Sequence, residues 1–323
     1  MEELLQQDWD TFFQESDEKS YYHKKSVNLS AQDCNYYIVR CRFEEQITQG
    51  AINFTNNLNL TKVLIENTDF YNCSNSIGQG GSLYFGKEGQ CAQNRICSVN
   101  SNSNLGAMYC YSFVSNIANY QNKLLDSAIS HSGNLINDQF GINGFYHGNV
   151  EINYDNISYS VSKLYGFYSV TTVRYPSKAS FSIITNNSDT ISNSIVSYFY
   201  QVPYFLAEYC NHLSNNLCVQ MGARDSTINI TKCNFIRNTA KTEYFYFAPY
   251  EGRFYVDGSY IADTVPNSYY VIITNRNEIP FDNNIAYYYC KSSIETTIPI
   301  PIQNMATFSF LRKRVSLKSY ISL

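Results

Sequence analysis

Residues 63–85 read VLIENTDFYNCSNSIGQGGSLYF, and the fold of the whole chain turns on how they are parsed. The first part alternates. Val63 and Ile65 point one way and Leu64 and Glu66 the other, as in a strand with two unlike faces. An Asn67-Thr68-Asp69 corner follows, then Phe70 and Cys73. After a polar turn, Gly80-Gly81 opens a second alternating run through Leu83 and Phe85. Two short strands divided by turn residues cannot bury an apolar face alone, so such a unit must stack on copies of itself.

Copies are present. Written generally, the unit is Φ-x-Φ-x-x-C-x-F, where Φ is apolar or aromatic, the sixth residue is Cys, Thr or Asp, and the eighth is Phe or Ile. Tyr36, Ile38, Cys41 and Phe43 fit it, as do Val63, Ile65, Thr68 and Phe70. So do Val150, Ile152, Asp155 and Ile157, and Ile228, Ile230, Cys233 and Phe235. Looser copies run through Val27, Leu29, Cys34 and Tyr36, and through Phe254, Val256 and Tyr260. The spacing of these starts is consistent with one period of about 25–30 residues, the range of solenoid repeats. A second recurring strand, G-x-Φ-x-Φ, appears at Gly50-Ile52-Phe54, Gly81-Leu83-Phe85, Gly106-Met108-Cys110 and Gly166-Tyr168-Val170.

No helical or leucine-rich consensus recurs. Short strands with almost no helix predict an all-β fold, a single right-handed parallel β-helix. Some nine or ten coils at the inter-strand spacing of about 4.8 Å would make a rod of roughly 45 Å. Residues 175–193 and 198–209 match the unit poorly and read as irregular coils or excursions. Residues 1–20 carry Leu5, Trp9 and Phe12 at helical spacing on an acidic background. They predict a short amphipathic helix capping the open end of the stack, where an exposed edge would otherwise invite pairing. The β-helix is expected over 21–290. Beyond it, 291–323 contain the Pro-bearing run ETTIPIP and a cluster of Arg312, Lys313, Arg314 and Lys318, which read as a loose basic tail.

Composition bounds the function. At 44% hydrophobic and 16% aromatic residues, the chain can bury a sizeable core. A net charge of −4 gives no general attraction to nucleic acid. Residues 1–20 show no secretory signal pattern, and no run of 18 apolar residues encodes a membrane span. The ten cysteines contain no C-x-x-C. Several fall at inward-facing repeat positions, where free Cys acts as a small buried hydrophobe, and this is preferred over a disulfide set.

The Gly80-Gly81-Ser82-Leu83 run resembles the G-G-A-I/L/V motif of polymorphic outer-membrane-protein repeats. Gly50-Ala51-Ile52 and Gly106-Ala107-Met108 match it in part. The companion F-x-x-N motif occurs at Phe54–Asn57, Phe113–Asn116, Phe140–Asn143, Phe235–Asn238 and Phe281–Asn284. Over about residues 25–290 the chain is similar to parallel β-helix surface proteins of bacteria and parasitic protists. The resemblance implies a pectin-lyase-like fold and a cell-surface or extracellular, often adhesive, role.

That fold also hosts polysaccharide lyases and hydrolases. Polygalacturonase-type sites resemble N-T-D, D-D, G-H-G and R-x-K. This chain has Asn67-Thr68-Asp69 and, 78 residues on, His147-Gly148, with no Asp-Asp pair and no suitable R-x-K. Glycoside hydrolysis needs paired carboxylates, and a turn position favours Asp for backbone reasons alone. Cys210, His212 and Cys218 offer three zinc-ligand types at a spacing that fits no standard finger. Scattered acidic residues suggest no calcium site. Seven N-x-S/T sequons, at Asn28, Asn53, Asn59, Asn72, Asn156, Asn186 and Asn229, are about what so much Asn, Ser and Thr produces at random. No catalytic, cofactor or metal residue is therefore assigned. The expected function is non-enzymatic adhesion or ligand binding to carbohydrate or protein through a lateral solenoid face. The alternatives are a carbohydrate-active enzyme on this fold, and a truncated or unexported relative without activity.

Overall fold

The computed structural model describes residues 9–13, 19–22, 35–55, 57–133, 141–162, 165–173, 175–188, 195–217, 219–240, 246–248, 250–262, 270–283 and 290. They form a right-handed parallel β-solenoid of about seven turns.

Each coil has three faces. The first runs through Asn35–Val39, the start of Lys62–Tyr71, the start of Gln90–Val99, Gln121–Leu125, Asn149–Asn153, Ser177–Ser180, Phe205–Glu208, Thr227–Thr231 and Arg253–Asp257. The second runs through Arg42–Glu44, the end of Lys62–Tyr71, the end of Gln90–Val99, Ala128–Ser130, Asn156–Ser158, Ile183–Thr185, Asn211–Leu213 and Asn234–Ile236. The third is an eight-stranded sheet that includes Ile52–Phe54, Leu83–Phe85, Cys110–Phe113, Asn143–Tyr146, Ile195–Tyr200 and Val219–Arg224. Neighbouring coils pair in parallel and in register, for example Val63↔Cys91, Ile157↔Ile184 and Phe54↔Phe85.

The corner between the first two faces explains the repeat unit. Its fifth position is a left-handed residue in coil after coil. Arg40, Asn67, Arg95, Asp126, Tyr154, Phe181, Tyr209 and Lys232 all have φ between 47° and 55°. A non-glycine residue there is strained by about 1–2 kcal/mol. The stack offsets this by satisfying the corner amide: Tyr154 N–H donates to Ser180 O, Phe181 to Glu208 O and Tyr209 to Thr231 O, each at 3.1 Å. The left-handed bend turns the sixth residue inward, so Cys41, Thr68, Asp155 and Cys233 are all buried. A small polar or sulfur-bearing side chain suits this site because it accepts a corner amide. Asp155 N–H donates to Ser182 Oγ at 3.2 Å, and Cys233 N–H to Ser259 Oγ at 3.1 Å.

A second polar ladder climbs the interior beyond the second face. Ser101 N–H donates to Ser132 Oγ (3.1 Å), Ser132 to Ser160 Oγ (3.2 Å) and Ser160 to Asn187 Oδ1 (2.8 Å). Asn187 continues to Asn215 Oδ1 (3.3 Å), and Asn215 to Asn238 Oδ1 (3.1 Å). Between these ladders lies a continuous apolar core, in which Phe43 stacks on Phe70 with ring centroids 5.3 Å apart.

Several expectations are corrected. Residues 175–193 and 198–209 do not read as irregular where they are described. Ser177–Ser180, Ile183–Thr185, Ile195–Tyr200 and Phe205–Glu208 are in-register strands. Their inward positions hold Ser177, Ala179, Ser182 and Ala207, too small and polar to register as an apolar alternation. Gly106-Met108-Cys110 is not equivalent to the other G-x-Φ-x-Φ copies, because Cys110, not Met108, pairs with Leu83. The F-x-x-N phenylalanines are not equivalent either: Phe54 and Phe235 are buried in the core, whereas Phe113 faces outward.

The amphipathic helix is present at residues 9–13. Expected over the open end of the stack, it has its apolar side against the outside of the first face. Trp9, Phe12 and Phe13 cluster with Tyr37, Val39, Leu64 and Ala92, the outward members of three successive strands. At the N-terminal edge lies instead the strand Lys19–Tyr22, paired in parallel with Asn35–Val39. The described fold thus begins inside the 1–20 segment assigned to the helix, and the 291–323 tail lies outside the described residues.

Gly81 tests the close packing of coils. A Cβ added there would sit 2.2 Å from both Asn102 O and Met108 O, backbone atoms that cannot swing away. Gly81→Ala is expected to lower stability by about 1–3 kcal/mol, read as a drop in urea midpoint. Gly258→Ala, at φ +52° with nothing within 4 Å of the added carbon, is expected to cost only about 1 kcal/mol.

Candidate functional site

The three outer faces differ in what covers them. The first is shielded at Tyr37, Leu64 and Ala92 by the helix, and further on carries an ion-pair column in which Glu151 bridges Lys123 (3.0 Å) and Lys178 (3.2 Å). These two lysines hold the Glu151 carboxyl below its usual range against the opposing effect of burial. On the second face the outward column Cys97, Ala128, Asn156, Ile183, Asn211 and Asn234 is buried throughout.

The third face is aromatic and partly open. Strand alternation turns Tyr84, Tyr111, Gly144, Ser169, Tyr198 and Gly222 outward in one register row. Phe113, Tyr146, Thr171, Tyr200 and Arg224 form the next. Tyr84 stacks on Tyr111 at 5.2 Å with planes 8° apart, and Tyr111 meets Tyr146 at 5.1 Å. Phe113 meets Tyr146 at 5.5 Å and His147 edge-on at 4.7 Å. The row glycines have a packing role. A Cβ on Gly144 would lie 3.8 Å from the Tyr111 ring and one on Gly222 3.1 Å from the Tyr198 ring, so these rings lean across the bare backbone.

Because the rings stack on one another, a ligand would meet their edges and hydroxyls more than their faces. Burial raises the Tyr84 phenol and pushes Tyr111 up to about 12, with Tyr84 itself adding to the second shift. Both hydroxyls therefore stay neutral and able to donate and accept at ordinary pH. Arg224, stacked over Tyr250 (4.3 Å) and Tyr200 (5.2 Å), is the charged member of these outward rows.

The residues weighed from sequence fall elsewhere. Asp69 faces outward on the second face between Arg42 and Cys97. Burial raises its carboxyl, and Arg42 partly opposes this. His147 stands at a left-handed corner after Asn143–Tyr146 on the third face. Cys210 and His212 both point inward, where they line a small internal cavity with Tyr168, Ser182 and Phe205; Cys218 lies outside the described residues. His212 stacks on Phe235 at 4.7 Å, and burial lowers it to about 4. Among the described residues no group of three His, Cys, Asp or Glu is placed to hold a metal ion. Of the sequons, Asn156 is buried, and Asn59, Asn72 and Asn186 are exposed.

Cysteines split by direction. Cys41, Cys73, Cys91, Cys110, Cys210 and Cys233 are free and buried, as their inward positions imply. Burial pushes Cys73 up to about 11 and Cys91 to about 12, which keeps them protonated and poor nucleophiles. Cys97 departs from the expected free state. It faces outward and is disulfide-bonded to Cys290. A partner 193 residues away leaves no spacing signal in the sequence.

The fold and this face define a parallel β-solenoid with a polar-edged aromatic strip on one outer side. No protein-family model, curated protein or solved structure matches the chain.

Proposed function

We propose that this chain is a non-enzymatic binding protein whose third outer face holds a neutral, hydroxyl-bearing ligand, a surface carbohydrate. The observation that carries the reading is the outward Tyr84–Tyr111 pair. It sets two stacked, neutral phenols one coil apart on a rigid sheet, and among the described residues no Asp or Glu stands at the outward positions beside them. Rigid aromatic side chains lose little entropy on binding, and repeated hydroxyls suit repeated sugar hydroxyls. Paired carboxylates, which glycoside hydrolysis needs, are not part of this row.

An extracellular or cell-surface location fits the Cys97–Cys290 bond, since disulfides persist mainly in oxidising compartments. It also fits the resemblance to adhesive β-helix surface proteins. The direct test is a glycan array followed by titration of the strongest binder. Tyr84→Ala with Tyr111→Ala is expected to weaken binding about tenfold, or ~1.4 kcal/mol, while circular dichroism stays unchanged. Binding that survives the double substitution, or surface labelling of intact cells that finds the protein only inside, would overturn the proposal.

A further inference from the structure

Arg224 follows Phe113, Tyr146, Thr171 and Tyr200 in the second outward row of the third face. Its guanidinium carbon lies 5.2 Å from the ring centroid of Tyr200, in the coil before. It lies 4.3 Å from that of Tyr250, in the coil after, just past the strand Tyr246–Phe247 that pairs with Met221 and Gly222. A ring from the coil on either side thus holds the planar group in place. The nitrogens are treated unlike those of other cations in the chain. Lys123 and Lys178 both pair with Glu151, and Arg42 Nε donates to Glu44 Oε1 at 2.6 Å. Arg224 makes no side-chain hydrogen bond among the described residues. Its Nε is buried, with Asp225 Oδ2 at 3.8 Å, too far to accept. The side chain is 40% exposed, so with Nε covered the donors left to solvent are those on Nη1 and Nη2.

We propose that Arg224 is an acidic-sugar subsite of the third face, taking the carboxylate of one unit in the glycan that this face binds. The inference rests on the reading of that face as a carbohydrate surface. A carboxylate presents two coplanar oxygens that match the outer edge of a guanidinium, and such charge-assisted bonds are about twice as strong as neutral ones. The two rings fix the fork before the ligand arrives, so little order is lost on binding. The neighbouring Asp225 carboxylate sets the charge that fits. One negative charge is matched by Arg224, whereas a doubly charged phosphate would be repelled by Asp225. Tyr111 and Arg224 are four coil steps apart along the sheet, about 19 Å at the inter-strand spacing. An oligosaccharide laid along the face therefore meets Tyr84 and Tyr111 with neutral units and Arg224 with an acidic one.

A glycan array printed twice, with its carboxylates free and as their methyl esters, tests this on the full chain. The variants are Arg224→Gln, Arg224→Lys, and Tyr84→Ala with Tyr111→Ala, each checked against the parent by circular dichroism. The strongest binders of the parent are expected to carry a carboxylate and to lose at least about tenfold in affinity on esterification. Arg224→Gln should lose the same factor on the free acids and nothing on the esters. Arg224→Lys, which keeps the charge but not the planar fork, should recover little of that loss. Equal binding of acids and esters, acid binding that Arg224→Gln leaves intact, or stronger binding of sulfated than of carboxylated glycans would overturn the proposal. Those outcomes leave the Tyr84–Tyr111 reading in place wherever the double variant still weakens binding. Acid binding that needs Arg224 but survives the double variant would uphold this subsite and remove that reading instead.

Discussion

Asn215→Ala is expected to lower the stability of the solenoid by about 3–5 kcal/mol. Asn215 is fully buried and sits mid-ladder. Its Oδ1 accepts from the Asn187 main chain (3.3 Å) and from Asn187 Nδ2 (3.0 Å), and its Nδ2 donates to Ile184 O (2.8 Å) and Asn238 Oδ1 (3.0 Å). Alanine removes all four bonds and admits no water in exchange. Leaving a buried polar group unsatisfied costs about 1–3 kcal/mol, and at least two groups are stranded. Asn100→Ala is the matched control. Its Nδ2 bonds Asn72 Oδ1 at 2.8 Å on the exposed side of a corner, where water replaces the lost partner. That change is expected to cost no more than about 1 kcal/mol, most of it from the left-handed backbone at φ 57°, which Asn tolerates better than Ala. Urea unfolding of both variants decides the matter, and equal costs would show that the interior ladder carries no special weight.

The second large effect depends on pH. Burial lowers His212 to about 4, below the ordinary value of 6.5. Above pH 6.5 both folded and unfolded chains hold it neutral. As pH falls from 6.5 towards 4, the unfolded chain gains a proton that the folded chain refuses, and about 3 kcal/mol is lost. Asp155 runs the other way. Burial raises it from 3.8 to about 7, opposed by the Tyr168 hydroxyl that donates to its Oδ2 at 2.7 Å. Below pH 3.8 both states are protonated. As pH rises towards 7 the unfolded chain ionises first, and about 4 kcal/mol is lost. The two windows overlap and the signs oppose, so in the parent protein they largely cancel. Relative to the parent, Asp155→Asn should become less stable by about 3–4 kcal/mol on going from pH 7 to pH 4. His212→Leu should become less stable by a similar amount in the reverse direction. Parallel stability curves for all three proteins would refute the assignment of either group.

The candidate face was only partly legible in the sequence. That Tyr84 and Phe85 point to opposite sides follows from strand period alone. That Tyr84, Tyr111 and Tyr146 form one contiguous strip does not. The separations of 27 and 35 residues differ by a loop, and the pairing of Tyr111 with Gly144 places Tyr146 one row over. Nor does tyrosine abundance separate these from Tyr109, which points inward and donates to Gln93 Oε1 at 2.7 Å.

What the chain determines by itself is the coil. Alternation over residues 63–66, a corner residue at Asn67, a small polar residue at Thr68 and a large one at Phe70 are local constraints. Repetition makes them additive, because each coil meets only its neighbours. What only the tertiary structure decides is everything laid against the outside of the coils. Trp9 on the first face, Phe281 and Asn283 on the second, and the Cys97–Cys290 bond join residues far apart in sequence. Such contacts depend on where a segment ends up in space, and no periodic pattern encodes that.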